Sequence, residues 1–238
     1  MVEQFLVSGD QKTIVAAFYA HHLCVFDIPS QTHTTTLQTE YSMLFLHTAA
    51  LTHDGGHLVV ANYDEDSKIS YVTLWDCCSG EVKRRLKRET NVACLGITDD
   101  ARRVIIGKTP NELHIWDPMK SNSLRRIRGY DGLRFEMNSK IFVVEEGAKA
   151  VVFAHDISVW DVDRGVVLAV FTPDTRIMTV NVVLNGSLVV FGMYDKPDLV
   201  ILRLTGEGLV PMDEAGGVEL FGETTSSDED DDDDDDEE

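Results

Sequence analysis

Short apolar runs separated by polar, turn-forming clusters make up most of the chain. In SGDQKTIVAAFYAHHLCVFD (residues 8–27) a turn cluster leads into an apolar run, a short polar break and a second apolar run. The same order recurs in THDGGHLVVANYDEDSKISYVTLWD (52–76), TDDARRVIIGKTPNELHIWD (98–117), EEGAKAVVFAHDISVWD (145–161) and LNGSLVVFGMYDKPDLVILRL (184–204). Apolar runs this short, bounded by Gly, Asn and Asp, read as β-strands. The turns fall at Gly9-Asp10, Asp54-Gly55, Asp99-Asp100, Glu146-Gly147 and Asn185-Gly186, residues that supply positive φ or local side-chain hydrogen bonds to hairpins. A further strand is expected after each of the middle three, carrying Val82 and Leu86, Leu124 and Ile127, and Val167 and Phe171 at matching offsets.

The segments end alike, at Asp27, Asp76, Asp117 and Asp161, in steps of 49, 41 and 44 residues, and a fifth ends near residue 204 with Leu202 or Leu204 where the others carry an aromatic residue. A period of roughly 40–45 residues closing on Trp-Asp is the mark of a four-stranded propeller blade. The expected fold is therefore all-β: about five degenerate blades over residues 1–222, followed by a disordered acidic tail over 223–238.

Through Trp75-Asp76, Trp116-Asp117 and Trp160-Asp161 and their preceding turn-strand pairs, residues 2–212 resemble the WD-repeat family. The resemblance implies that Trp75, Trp116 and Trp160 wedge between strands and blades, and that Asp76, Asp117 and Asp161 start the turn into the outer strand. No Gly-His dipeptide precedes any repeat, Phe26 stands in for the first tryptophan and the last repeat has no Trp-Asp. The family's buried Asp-His-Ser/Thr-Trp network is thus incomplete, and apolar packing must carry more of the stability. Propellers of this family usually close with seven or eight blades, so five repeats read as part of a larger ring with blade faces left open. The ending VVFGMYDKPDLVILRLTGEG is similar to C-terminal propellers of NACHT-and-WD-repeat proteins, large signalling proteins with a nucleotide-binding oligomerisation module. No such module is present in these residues.

Charge divides the chain sharply. Of its 41 acidic residues, 12 lie at Glu223 and between Asp228 and Glu238, which leaves residues 1–222 at a net −8 against −20 for the whole. A tail with nothing apolar to bury and strong self-repulsion cannot fold alone. Ser226 and Ser227 each have an acidic residue three positions on, the pattern of acid-directed kinases of the casein-kinase-two type. The overall charge disfavours nonspecific binding to nucleic acid and anionic membranes. With no secretory leader pattern and no long apolar run, a cytoplasmic or nuclear location is expected, with Cys24, Cys77, Cys78 and Cys94 as reduced thiols.

Chemical motifs are weak. Gly107-Lys108-Thr109 spells the end of a P-loop, but Arg102 occupies the first glycine position and Pro110 follows, where a phosphate site needs a helix N-terminus. The stretch reads instead as a hairpin, with VIIG the inner strand, KTPN the turn and LHIWD the return strand. Asn185-Gly186-Ser187 reads as a hairpin turn rather than a glycosylation site. His21, His22 and Cys24 lack a second ligand cluster, and alternation along a strand splits the two histidines between faces. Neither a nucleophile elbow nor a zinc-protease motif occurs, so the expectation is a non-enzyme without cofactor or metal.

Two basic strands remain. EVKRRLKRE and SLRRIRGY place Lys83, Arg84, Arg85, Lys87, Arg88, Arg125, Arg126 and Arg128 on neighbouring outer strands. They read either as solvated edges that block strand pairing or as a rim patch for acidic partners, which the tethered tail could visit and mask. The function expected is a protein–protein interaction scaffold; the alternative is a nuclear factor binding histones or other basic proteins through the tail.

Overall fold

The computed structural model describes residues 2–18, 22–38, 48–64, 69–87, 91–120, 123–130, 133–136, 139–183, 187–194, 199–205 and 208–211. Residues beyond 211, including the acidic tail with Ser226 and Ser227, lie outside the described set.

Within it the chain forms five separate four-stranded antiparallel sheets, each a simple up-and-down meander. Blade I comprises β1 (Val2–Val7), β2 (Thr13–Phe18), β3 (His22–Asp27) and β4 (Thr32–Gln38). Blade II comprises β5 (Ala49–Leu51), β6 (His57–Asp64), β7 (Ile69–Asp76) and β8 (Val82–Lys87). Blade III comprises β9 (Val92–Ile97), β10 (Val104–Lys108), β11 (Glu112–Asp117) and β12 (Ser123–Arg128). Blade IV comprises β13 (Lys140–Val144), β14 (Lys149–Phe153), β15 (Ile157–Asp161) and β16 (Val166–Phe171). Blade V comprises β17 (Ile177–Val183), β18 (Leu188–Met193), β19 (Leu199–Thr205) and β20 (Gly208–Pro211). The VIIG stretch is thus the second strand of its blade, with the wholly buried VACLGI of β9 inside it.

Alternation along each strand gives every blade two apolar faces, and consecutive blades bury them against each other. One core joins blades I and II around Val15, Leu23, Val25, Leu58 and Trp75. Another joins II and III around Val59, Val72, Leu74, Ile106 and Trp116. Blades III and IV meet around Ile105, Leu113, Ile115, Val152 and Trp160. Blades IV and V meet around Val151, Ile157, Val159, Phe191 and Leu202. Among the described residues no core cluster and no strand pairing joins blade V back to blade I. The described sheets thus follow one another as propeller-like blades, in an arc whose closure is not seen among these residues.

The register makes the blades superposable position by position. Trp75 pairs with Leu58, Trp116 with Val104, Trp160 with Ala150 and Phe26 with Ile14. In blade V the residue so placed is Leu202, opposite Val189 and fully buried, whereas Leu204 lies farther along the strand and is only half-buried.

Candidate interaction surface

One end of the arc carries two kinds of polar turn, one repeated in blades I to III and the other in blades I to IV. The turn between the first two strands is closed by a hydroxyl and an aspartate two residues on: Ser8 donates to Asp10 at 2.7 Å, Thr52 to Asp54 at 2.7 Å and Thr98 to Asp100 at 2.6 Å. Each carboxylate also accepts a backbone N–H of its own turn, from Lys12, Gly56 and Arg102. The Ser8 and Thr52 hydroxyls are the main reason that the Asp10 and Asp54 carboxyls titrate below the usual range. At Asp100 burial pushes upward, and the Thr98 hydroxyl and Arg102 amide outweigh it.

The second turn follows the third strand. Asp76 accepts the N–H groups of Cys78 and Ser79 at 2.9 Å, Asp117 those of Met119 and Lys120, and Asp161 that of Arg164. Four residues past the aspartate the chain turns with positive φ at Gln31, Gly80 and Gly165, a conformation that glycine adopts without strain. The Lys83 ammonium, 2.9 Å from Asp76, together with the Ser79 amide, brings the Asp76 carboxyl down to about 2. A carboxyl with a lower pKa in the folded state than its ordinary 3.8 contributes stability above that ordinary value and loses it as pH falls through about 2. Urea midpoints measured between roughly pH 5 and pH 2 are therefore expected to fall, and Asp76→Asn to flatten that fall; an unchanged slope would count against the turn as its source.

The basic rim has a structural employment that its sequence does not announce. Arg84 on β8 donates through Nε to the Pro118 carbonyl of the next blade at 3.2 Å, and Arg125 on β12 donates both terminal nitrogens to the Val162 and Asp163 carbonyls of the blade after. Thr35 on β4 does the same with its hydroxyl, to the Cys78 carbonyl at 3.2 Å. Three outer strands thus reach forward and hold the turn that follows the neighbouring blade's aspartate. Arg103 adds an ion pair to Asp163 at 2.6 Å, and the Asp10 N–H reaches the His53 carbonyl between the first two blades.

Of the other basic positions, Lys83 is engaged by Asp76, Arg85 lies 5.9 Å from the centre of the Tyr71 ring and Arg126 is exposed. Lys87 and Arg128 end β8 and β12 with side chains outside the described set, as is Arg88 altogether. Bonds to carbonyls do not cancel a guanidinium's charge, so the rim stays positive at Arg84, Arg125 and Arg126. Truncation at Arg125 is expected to cost about 1 kcal/mol, since it removes two hydrogen bonds at a blade junction, the one to Val162 part-buried and the one to Asp163 exposed. Arg126→Ala, measured beside it by chemical unfolding, is expected to stay within about 0.5 kcal/mol.

Trp75, Trp116 and Trp160 are buried in the three cores between blades I and IV. Trp160 donates Nε1 to Ser158 at 2.9 Å beneath the Tyr130 ring, whose hydroxyl reaches Asp156 at 3.2 Å. Burial, then the Asp156 charge, push the Tyr130 phenol up to about 12. Trp75 Nε1 has no hydrogen-bond partner among the described residues. Cys77 and Cys94 are buried, and burial raises both thiols, Cys77 to about 12. Lys108 ends β10 opposite Glu112, and the Thr109 N–H bonds to the Asn91 carbonyl, so both belong to a hairpin. His22 and Cys24 are part-exposed on β3, and His21 and Asn185-Gly186 fall outside the described residues. Among the described residues no group of three or more metal-ligating side chains converges.

Two surfaces escaped the sequence. The outer strand β16, Val166-Val167-Leu168-Ala169-Val170-Phe171, carries no charge, and Val166, Val167, Leu168 and Val170 are exposed on it. Its counterparts β8 and β12 are basic and β4 is polar. Between blades IV and V opens a cleft of about 410 Å³, lined by Glu136, His155, Asp174 and Arg176 among others, with Arg176 3.8 Å from Glu136.

No family model matches the chain, and no curated protein does. Among solved structures it is similar to the Kuenenia stuttgartiensis hydrazine synthase, with a TM-score of 0.64 and 16% identity over 87% of this chain. The match spans 65% of that chain, and identity this low speaks for a shared fold alone.

Proposed function

We propose that this chain is a non-catalytic protein–protein interaction scaffold of the WD-repeat type, the regulatory propeller of a larger NACHT-type signalling protein. The observation that carries the reading is the uncharged, exposed β16 beside a rim of anchored arginines. An outer strand with free backbone groups and apolar side chains on a repeat fold is a surface for a partner. The Ser158–Trp160 hydrogen bond and the aspartate-capped turns add support for the WD-repeat kinship. The test is to capture partners with the full chain and with Leu168→Lys. Proteins retained by the parent and lost by the variant, with unchanged unfolding midpoints, are expected; an identical partner set would sink the reading.

A second reading rests on the acidic tail, 12 carboxylates within residues 223–238. In it the tail binds histones or other basic proteins, and the arc is its platform. Ending the chain at Gly222 would abolish histone binding on this reading. Heparin binding that rises on the same truncation, most at low salt, would show instead that the tail masks the basic rim, because contact between exposed charges is screened over about 8 Å at physiological ionic strength.

A further inference from the structure

We infer that the outward face of blade I is a half-interface built to seat one more four-stranded blade, with an aliphatic forward face, ahead of it in the arc. Each later blade turns six equivalent positions backward onto its predecessor. In blade II they are Ala49, Leu51, Leu58, Val60, Thr73 and Trp75, as the pairings Ala49 with Val60 with Thr73 and Leu51 with Leu58 with Trp75 define. The same pairings in blade I pick out Phe5, Ala16 and Cys24, and Val7, Ile14 and Phe26. The chemistry is the same, but the cover is missing: the innermost position is 8% exposed at Ala49, 3% at Leu95, 7% at Ile141 and 2% at Val180, and 65% at Phe5.

The face is not made for solvent, since a phenylalanine and a valine at this exposure on an inner strand leave an apolar patch that a monomer surface avoids. What covers it must present a blade's forward face, because that is what the equivalent faces of blades II to V meet. Among the described residues, a second copy of this chain would have one such face to offer, on blade V, and that face is mixed in polarity. On the innermost strand the forward faces of blades I to IV carry Leu6, Ala50, Gly96 and Phe142, whereas that of blade V sets half-buried Val190 and Ile201 and exposed Val183 and Leu199 among exposed Asn181, Thr179 and Arg203. Burying those polar groups without partners opposes docking. The inference rests on blade geometry and is independent of the scaffold reading.

Cys24 lies on the open face and is part-exposed, Cys78 is exposed in a turn, and Cys77 and Cys94 are buried, so alkylation reports the face with an internal control. The experiment extends the full chain ahead of Met1 with a second copy of residues 48–91, blade II and its connector, and measures iodoacetamide modification by peptide mass. Cys24 is expected to react about tenfold more slowly in the extended chain, with Cys78 unchanged, and Phe5→Lys in that chain to restore the rate. Without the extension, Phe5→Lys is expected to leave the thermal midpoint in place while Leu95→Lys, the covered equivalent, unfolds the chain. Cys24 as reactive with the added blade as without it, whether the addition is folded or protease-labile, overturns the inference. So does a Cys24 already protected in the parent chain, with a dimer mass by light scattering marking a second copy and a monomer mass marking cover by the chain itself. Equal damage from Phe5→Lys and Leu95→Lys would do the same.

Discussion

Trp160→Ala is expected to destabilise the chain by about 3–5 kcal/mol, read as a shift in the urea midpoint. The side chain sits in the core between blades III and IV, with Ile105, Ile115 and Val152 around it. Its loss leaves a cavity that close-packed neighbours fill only in part. A second cost comes from Ser158, wholly buried, whose hydroxyl accepts the indole N–H. Trp160→Phe goes part of the way, because it removes the donor and keeps most, though not all, of the ring volume; about 1–2 kcal/mol is expected. Trp75→Phe is the control, since the Trp75 indole nitrogen has no hydrogen-bond partner among the described residues, and it should cost less. A Trp160→Ala midpoint within experimental error of the parent would mean that blades III and IV do not share this core.

The second large effect is expected at Leu202. Leu202→Asp places a carboxylate at the tryptophan-equivalent position of blade V, where the side chain is fully enclosed by the core with blade IV. No cation among that cluster's members can pair with it, and an unpaired charge in such a place protonates or unfolds its surroundings. The expected loss is at least about 4 kcal/mol, at the severe end of single substitutions. Leu204→Asp, half-buried and nearer the strand end, is expected to cost less than half as much. The reverse order, measured by denaturant titration, would shift the register of β19 by one full alternation and make Leu204 the equivalent residue.

That pair of leucines shows where the sequence was readable and where it was not. The Trp-Asp endings located blades II, III and IV because an aromatic residue at a buried position followed by a turn-capping aspartate is rare enough to count. In blade V the aromatic is gone, and apolar residues at Leu202 and Leu204 both satisfy a period of two; only the pairing with Val189 separates them. The innermost strands were hidden for a related reason. Ala49–Leu51 is too short to show alternation, and VACLGI in β9 is buried on both faces, so its pattern has no polar phase to read.

The basic strands carried a second role that their charge alone does not show. Charge on an outer strand says that a side chain can reach water, not what else it holds, and the exposed Arg84 also finds an acceptor 34 residues away in the next blade. A signal existed nonetheless: Thr35, Arg84 and Arg125 each stand eight residues beyond the blade's aspartate, and Ala169 stands there in blade IV. The donor is absent at the junction where Ala169 and Phe171 pack against the core with blade V instead. A repeated hydroxyl two residues before Asp10, Asp54 and Asp100 was equally visible and marks the other set of turns.

The arc also sets how the molecule comes apart. Blades II, III and IV each share a core on two sides, whereas I and V share one, and in a stack of neighbours stability is the sum of what adjacent units share. Fraying therefore begins at the two extremes and moves inward, and the amide protons of β9 to β11 are the last to exchange with solvent. Blade III acts as the keystone, because it is the last to lose both of its neighbours.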